Sequence, residues 1–226
     1  MKKISIALFM LLGSFSMASA ELGVNIGISG NSGVFFADAE ETIETNRKGS
    51  DNAVAAFGYT SIFIEKTLGS RLSLGYEHIP NSFSTDEAED TKGDNLTGFV
   101  ENVEDGDSTT MNAVVNKVKV EFKNMYTIYA NLNLTENLYV KAGMMSVDVL
   151  TKEELGTGGS YGDTSMDGTT YGLGYNRSFD NGVFVRAEGM IMDFDNITLE
   201  DSTNTKVIKA TDISGVKGTL SIGKSF

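Results

Sequence analysis

The sequence predicts an all-β chain, an eight-stranded antiparallel up-and-down transmembrane β-barrel over residues 21–226, behind a signal peptide at residues 1–20. Three observations predict it. Apolar residues recur at every second position through most of the chain, the period of strands with two unlike faces. The connections between such runs alternate strictly between tight turns and long acidic segments, as in barrels with short turns at one rim and long loops at the other. The small-and-polar face holds so much glycine and serine that it could hardly form a dense apolar core.

The first twenty residues give the address. Met1-Lys2-Lys3 is a short basic start, Ile4 to Leu12 is an almost unbroken apolar run, and Ala18-Ser19-Ala20 stands ahead of Glu21. This is the pattern of a secretory signal peptide. The apolar run is shorter than the roughly 20 residues that a spanning helix needs. Cysteine is absent, which excludes lipoprotein processing, disulfide scaffolds and thiolate metal sites. With 18 Lys+Arg against 31 Asp+Glu, a formal charge of −13 speaks against nucleic acid bound through its phosphates. An apolar content of 40% is enough for a core.

Eight strands follow in order. In the first, Leu22, Val24, Ile26, Ile28, Val34 and Phe36 alternate with Gly23, Asn25, Gly27, Ser29, Asn31 and Gly33. Weaker candidates lie at about 53–66 and 71–80. The fourth runs from Val118 to Leu134, with Val118, Val120, Phe122, Tyr126, Ile128, Ala130, Leu132 and Leu134 as its apolar positions. Candidates at 138–149 and 183–194 flank a sixth strand in which Tyr171, Leu173, Tyr175 and Phe179 alternate with glycine, asparagine and serine. The last sets Val216, Leu220 and Ile222 against Lys217, Thr219 and Ser221. The tight connections are Thr67–Ser70, Thr135–Asn137 and Asp180–Gly182, the last carrying an Asn-Gly pair suited to a two-residue hairpin. The long ones lie near 38–52, 81–113, 150–168 and 195–211.

A soluble barrel would point its apolar side chains inward. The glycine- and serine-rich face argues for the reverse, with apolar residues toward lipid and small or charged ones in a narrow lumen. The chain closes on Phe226, with Leu220 and Ile222 at alternate positions before it. This resembles the terminal signal by which outer-membrane proteins are handed to the barrel-assembly machinery. Lys224 departs from it, standing where that signal usually has an apolar or aromatic residue.

In strand number, alternating loop lengths, signal peptide and terminal aromatic, the whole mature chain resembles the small eight-stranded outer-membrane proteins of the OmpA transmembrane domain and OmpX type. No residue motif of that family carries over position by position. The resemblance implies the outer membrane of a Gram-negative bacterium, with outer-membrane lipids and lipopolysaccharide as surroundings, assembly by the barrel machinery and a monomeric state.

Parity collects Glu65, Glu77, Lys119, Glu121, Lys123, Lys141, Arg186, Glu188 and Lys217 on the inward face. Eight strands enclose an interior just wide enough for side chains, so these charges are expected to pair as a plug; a gated channel or proton path is the alternative. From Ser84 to Asp107 the chain carries Asp86, Glu87, Glu89, Asp90, Asp94, Glu101, Glu104, Asp105 and Asp107 against Lys92. Hard divalent ions favour such oxygens, yet the spacing matches no calcium loop, and weak screening is the expected behaviour. His78 is the single histidine, on the parity of Leu72, Leu74 and Tyr76 with Ser82 four residues on. Barrels that modify lipid A pair a histidine with a serine at i+2, but position 80 is Pro80, so an interfacial histidine is the plainer reading. Met144, Met145, Met190 and Met192 read as gap-fillers beside glycine.

The sequence therefore leads to a non-enzymatic surface protein with acidic extracellular loops, without catalytic, cofactor or metal residues, serving envelope integrity, adhesion or surface recognition. A narrow porin-like channel for small solutes is the second reading, and a lipid-modifying enzyme built on His78 the third.

Overall fold

The structure, a computed structural model, describes residues 23–43, 47–84, 88–92, 114–155, 160–200, 202 and 206–226. The expected signal peptide and most of the acidic segment between Ser84 and Asp107 lie outside these residues. Eleven strands are described: β1 (Val24–Ile43), β2 (Arg47–Leu68), β3 (Leu72–His78), β4 (Phe83–Ser84), β5 (Ala88–Lys92), β6 (Val114–Asn133), β7 (Leu138–Leu155), β8 (Thr164–Ser178), β9 (Val183–Phe194), β10 (Ile197–Glu200) and β11 (Lys206–Ser225). Eight of them form one antiparallel ring, β1-β2-β3-β6-β7-β8-β9-β11, closed by pairing of β11 with β1 from Asn25↔Ser225 to Ile43↔Lys206. The short strands β4 and β5 extend the sheet beside β6, and β10 beside β11. Closure leaves no edge in lipid along that seam, which is the condition for a sheet to span a membrane.

The tight turns bring their own chemistry. Gly69 (φ +68°) and Gly182 (φ +79°) take left-handed backbone between β2 and β3 and between β8 and β9, where a side chain would be strained. Between β6 and β7, Thr135 Oγ1 accepts the Leu138 N–H at 2.9 Å. At the opposite rim the strands run well into segments expected as loops. β1 continues to Ile43, β2 starts at Arg47, β7 continues to Leu155, and β8 and β11 begin at Thr164 and Lys206, while β4 and β5 fall inside the 81–113 connection. Alternating apolar residues mark only where a face meets lipid or a core. The backbone ladder needs no such face, so it carries on in polar sequence.

Outward positions form an apolar belt around the ring. Ile26, Ile28, Ile62, Leu132, Leu173, Val185, Ile191, Val216 and Ile222 are exposed, and Leu220 is 71% accessible. Above the belt, toward the long hairpins, the pattern inverts. Outward positions become Asp38, Asn52, Asp167 and Asp193, all exposed. Inward positions become Phe57, Met125, Met145, Val147, Val149, Met166, Met192, Phe194 and Ile213, a contiguous apolar cluster. The barrel thus has a membrane half that is apolar outside and polar inside, and an outer half built like a soluble barrel.

Two bulges help to make that inversion. Between Lys123 and Tyr126 the β6–β7 register slips at Asn124 (φ 51°), and between Phe36 and Asp38 the β1–β11 register slips opposite Asp212 (φ 51°). An inserted residue reverses the parity of everything beyond it. On β6, Val118, Val120 and Phe122 before the bulge and Tyr126, Ile128 and Leu132 after it all hold even positions. Below the bulge, Ile128 and Leu132 face lipid; above it, Phe122 and Val120 pack on the apolar cluster.

Candidate functional site

Of the nine charges expected in the lumen, the structure brings six together in the membrane half. Glu65, Glu77, Lys141, Glu188 and Lys217 are all less than 9% exposed, and the Arg186 side chain is equally enclosed. The other three, Lys119, Glu121 and Lys123, lie on the outside. The Asn124 bulge turns them away from the interior, and Lys123 and Glu121 form a surface pair at 3.1 Å. An unbroken count of two along β6 could not anticipate the extra residue.

The centre of the network is Glu65. Its two oxygens accept from Arg186 (Nη2–Oε2 2.7 Å, with Nη1 on Oε1), the Tyr129 hydroxyl and Asn131 Nδ2 (both 2.9 Å), and Asn25 Nδ2 (3.1 Å). Glu188 accepts from Lys141 Nζ at 3.0 Å and from the Tyr139 hydroxyl. Glu77 accepts from Ser61, with Lys141 Nζ at 4.0 Å. Lys217 donates to the Tyr59 hydroxyl at 3.4 Å. A smaller polar chain, Thr219 to Asn31 (2.7 Å) and Asn31 to Ser61 (3.0 Å), joins it to β1 and β11. Three carboxylates thus stand against three cations, so the enclosed charge is balanced. Such balance is what buried ions require, because removal from water costs several kcal/mol per ion.

Aromatic rings missing from the sequence-based set complete the plug. Arg186 lies over the Phe184 ring (4.4 Å) and Lys141 over Tyr129 (4.0 Å). Two of the inward rings stand directly opposite a glycine: Tyr129 opposite Gly75, and Tyr139 opposite Gly174. A Cβ at Gly75 would come within 2.3 Å of the Tyr129 ring, and one at Gly174 within 2.2 Å of the Tyr139 ring. The glycines therefore let rings lie flat across the neighbouring strand. Inward glycines were visible in the sequence; which ring each one serves depends on strand register.

His78 sits at the outer end of β3 on the outward face, its ring 6.5 Å from Tyr76 and nearly parallel to it. Its Nδ1 is enclosed without a hydrogen-bond partner among the described residues. Met145, Met190 and Met192 point inward and are buried, whereas Met144 faces outward at 72% exposure. Leu220, Ile222 and Phe226 are exposed on the outer surface, and the Phe226 backbone pairs with Val24 (N–O 2.8 Å). Glu89 and Asp90 lie in β5; the remaining acids between Asp86 and Asp107 fall outside the described residues. Among the described residues no group of three or more acidic or histidine side chains is arranged to hold a metal ion.

A closed antiparallel ring of eight strands, belted by exposed apolar side chains and filled by paired charges, defines a small β-barrel of the outer membrane. No family model and no curated protein matches the chain. Among solved structures it is similar to Ail, the attachment invasion locus protein of Yersinia pestis (12% identity, 88% of this chain and 99% of that one, TM-score 0.36). It is similar also to Neisserial surface protein A (10% identity, 92% and 100%, TM-score 0.36) and to the outer membrane protease OmpT from Escherichia coli (11% identity, 95% and 100%, TM-score 0.46). These likenesses concern the fold.

Proposed function

We propose that this chain is a non-enzymatic surface protein of the outer membrane, in which a sealed barrel holds acidic extracellular hairpins for envelope integrity, adhesion or surface recognition. The observation that carries this reading is the closed interior. The membrane half spends its charges on one another, and the outer half is filled by side chains such as Met192 (0% exposed) and Phe194. Among the described residues the interior is taken up by these side chains, which disfavours the porin-like alternative. His78 Nδ1, which has no hydrogen-bond partner among the described residues, gives no support to the lipid-modifying alternative, which needs a base paired to a nucleophile. Chemistry available to a partner is then concentrated at the outer rim, where strongly acidic sequence emerges between β5 and β6. The surroundings in this reading are outer-membrane lipids and lipopolysaccharide, the assembling partner is the barrel machinery, and the barrel works as a monomer.

The test is capture from the cell surface by the intact barrel in nanodiscs, compared with a chain whose acids at Asp94, Glu101, Glu104, Asp105 and Asp107 are changed to their amides. The reading expects captured partners to be lost with the charge. Identical capture by both chains, or a steady conductance in planar bilayers, would overturn it.

A further inference from the structure

The outward charges of the barrel change sign from one end of the apolar belt to the other. On β8 the outward face begins at Asp167 and, past Tyr171, Leu173 and Tyr175, ends at Arg177. Beyond the belt on the long-hairpin side, β1 and β9 likewise present Asp38 and Asp193. At the tight-turn rim β11 presents Lys224, on the parity of Leu220 and Ile222. Arg177 and Lys224 are both exposed, and neither has an ion-pair partner among the described residues. With 31 Asp+Glu against 18 Lys+Arg in the chain, two cations left without a carboxylate on one lipid-facing wall call for an anion from outside it.

Register places the two side by side. Arg177 stands opposite Val185 and Lys224 opposite Val183, so β9 alone lies between them. Two strand spacings amount to roughly 10 Å, a gap that two long, flexible side chains close on one anion. Their backbones are braced. Ser225 donates to the Gly182 carbonyl (2.9 Å), which fastens the β8–β9 turn to the end of β11. Asn181 Oδ1 accepts the Val183 N–H at 3.0 Å, and the Asn176 carbonyl accepts from Asn137 Nδ2 at 2.9 Å. Tyr175, Phe179 and Phe226 stand around the gap, each about half exposed, with Lys224 Nζ 5.8 Å from the Phe226 ring. The anions of this corner, Asp180 and the terminal carboxylate of Phe226, form no ion pair with either cation.

We propose that Arg177 and Lys224 form a binding site for one anionic phospholipid of the leaflet at the tight turns, its phosphate held between guanidinium and ammonium. Arginine meets a phosphate with paired N–H groups and lysine meets it as a point charge. The stems of both lie along hydrocarbon while their charged ends reach the headgroup level. The acyl chains run over Val185, Leu173 and Ile222, all exposed, and the rings of Phe179 and Phe226 stand at the headgroup boundary. An anionic headgroup suits the site better than a zwitterionic one, whose own ammonium competes for the phosphate. The site lies at the opposite end of the barrel from the acidic hairpins and is independent of the recognition reading.

Native mass spectrometry of the full barrel refolded in detergent micelles tests it, with phosphatidylglycerol and phosphatidylcholine of equal chain length titrated in separate arms. The unaltered barrel should retain one phosphatidylglycerol at a several-fold lower lipid concentration than phosphatidylcholine. Arg177→Gln and Lys224→Gln should each weaken that retention, and the double variant should abolish the preference. Heat-modifiable mobility on a gel establishes folding of each variant, and the two single variants carry the test if the double does not fold. Lys123→Gln combined with Lys152→Gln, on surface lysines beyond the other end of the belt, should change nothing. Glycerol phosphate in excess should not displace the lipid, because it lacks the chains. Equal retention of the two lipids, undiminished retention in the folded variants, equal loss in the Lys123 and Lys152 control, or displacement by glycerol phosphate would overturn the proposal.

Discussion

Arg186 on β9 reaches across the lumen to Glu65 on β2 and holds it with two guanidinium nitrogens, one at 2.7 Å, although 121 residues separate them in sequence. Neither strand pairs with the other. The contact therefore ties two sides of the ring together through its interior.

Removing one member of this pair should leave the other charge enclosed and unmatched. Glu65→Leu or Arg186→Met alone is expected to cost about 3–5 kcal/mol in reversible unfolding from lipid vesicles, with the double variant recovering most of it. Additive losses in that cycle would show that the two charges are not coupled.

The face assignment gives a second expectation. Leu220→Arg, in the middle of the belt, should cost about 2–4 kcal/mol in bilayers, as for a charge at the midplane of a lipid-facing barrel surface. Asp193→Arg, on the outward face above the belt, should stay within about 0.5 kcal/mol. Equal costs at the two positions would place the lipid boundary elsewhere.

The bulge on β6 can be tested through its backbone. Asn124 holds left-handed φ and donates to Asp148 at 2.7 Å. Asn124→Val should be less stable than Asn124→Gly by about 1–2 kcal/mol, the cost of that conformation for a residue with a Cβ. Deletion of Asn124 should be far worse. It would turn Phe122 and Val120 out to water and bring Lys123 and Glu121 into the apolar cluster, detectable as loss of the folded, heat-modifiable band.

Conduction provides a fourth. With both halves of the interior filled, the purified barrel should give negligible single-channel current in planar bilayers, and Lys141→Ala should raise it by loosening the plug around Glu188 and Glu77. Large ohmic steps in the unaltered protein would contradict the sealed interior.

Much of this architecture was legible from alternation alone. Ile26 and Ile28 against Ser29 and Asn31, or Val185 against Arg186 and Glu188, already separate the lipid face from the lumen. What the sequence concealed has two physical origins. A bulge is a change in pairing, not in composition, so the run from Val118 to Leu134 looks like one uninterrupted strand and sends Lys119, Glu121 and Lys123 to the wrong face. The partners of the plug are set by register between distant strands, so Tyr129 and Tyr139 become meaningful only when placed opposite Gly75 and Gly174. The outer core escaped notice for a related reason: Phe57, Met145, Val147 and Met192 share parity with the lumen charges, and nothing local marks where membrane ends and water begins.

The continuation of β1 from Phe36 to Ile43 and of its partner β2 has a consequence for reach. Seven further residues at about 3.3 Å each lengthen the strand by roughly 23 Å, and its tilt gives up only part of that as height. The described ends of the two arms, Ile43 and Arg47, stand on paired strand beyond the apolar belt. Height is thus set by paired strand rather than by slack chain. Trimming matched residues from both arms would lower those ends in steps, much as removing courses of brick lowers a tower.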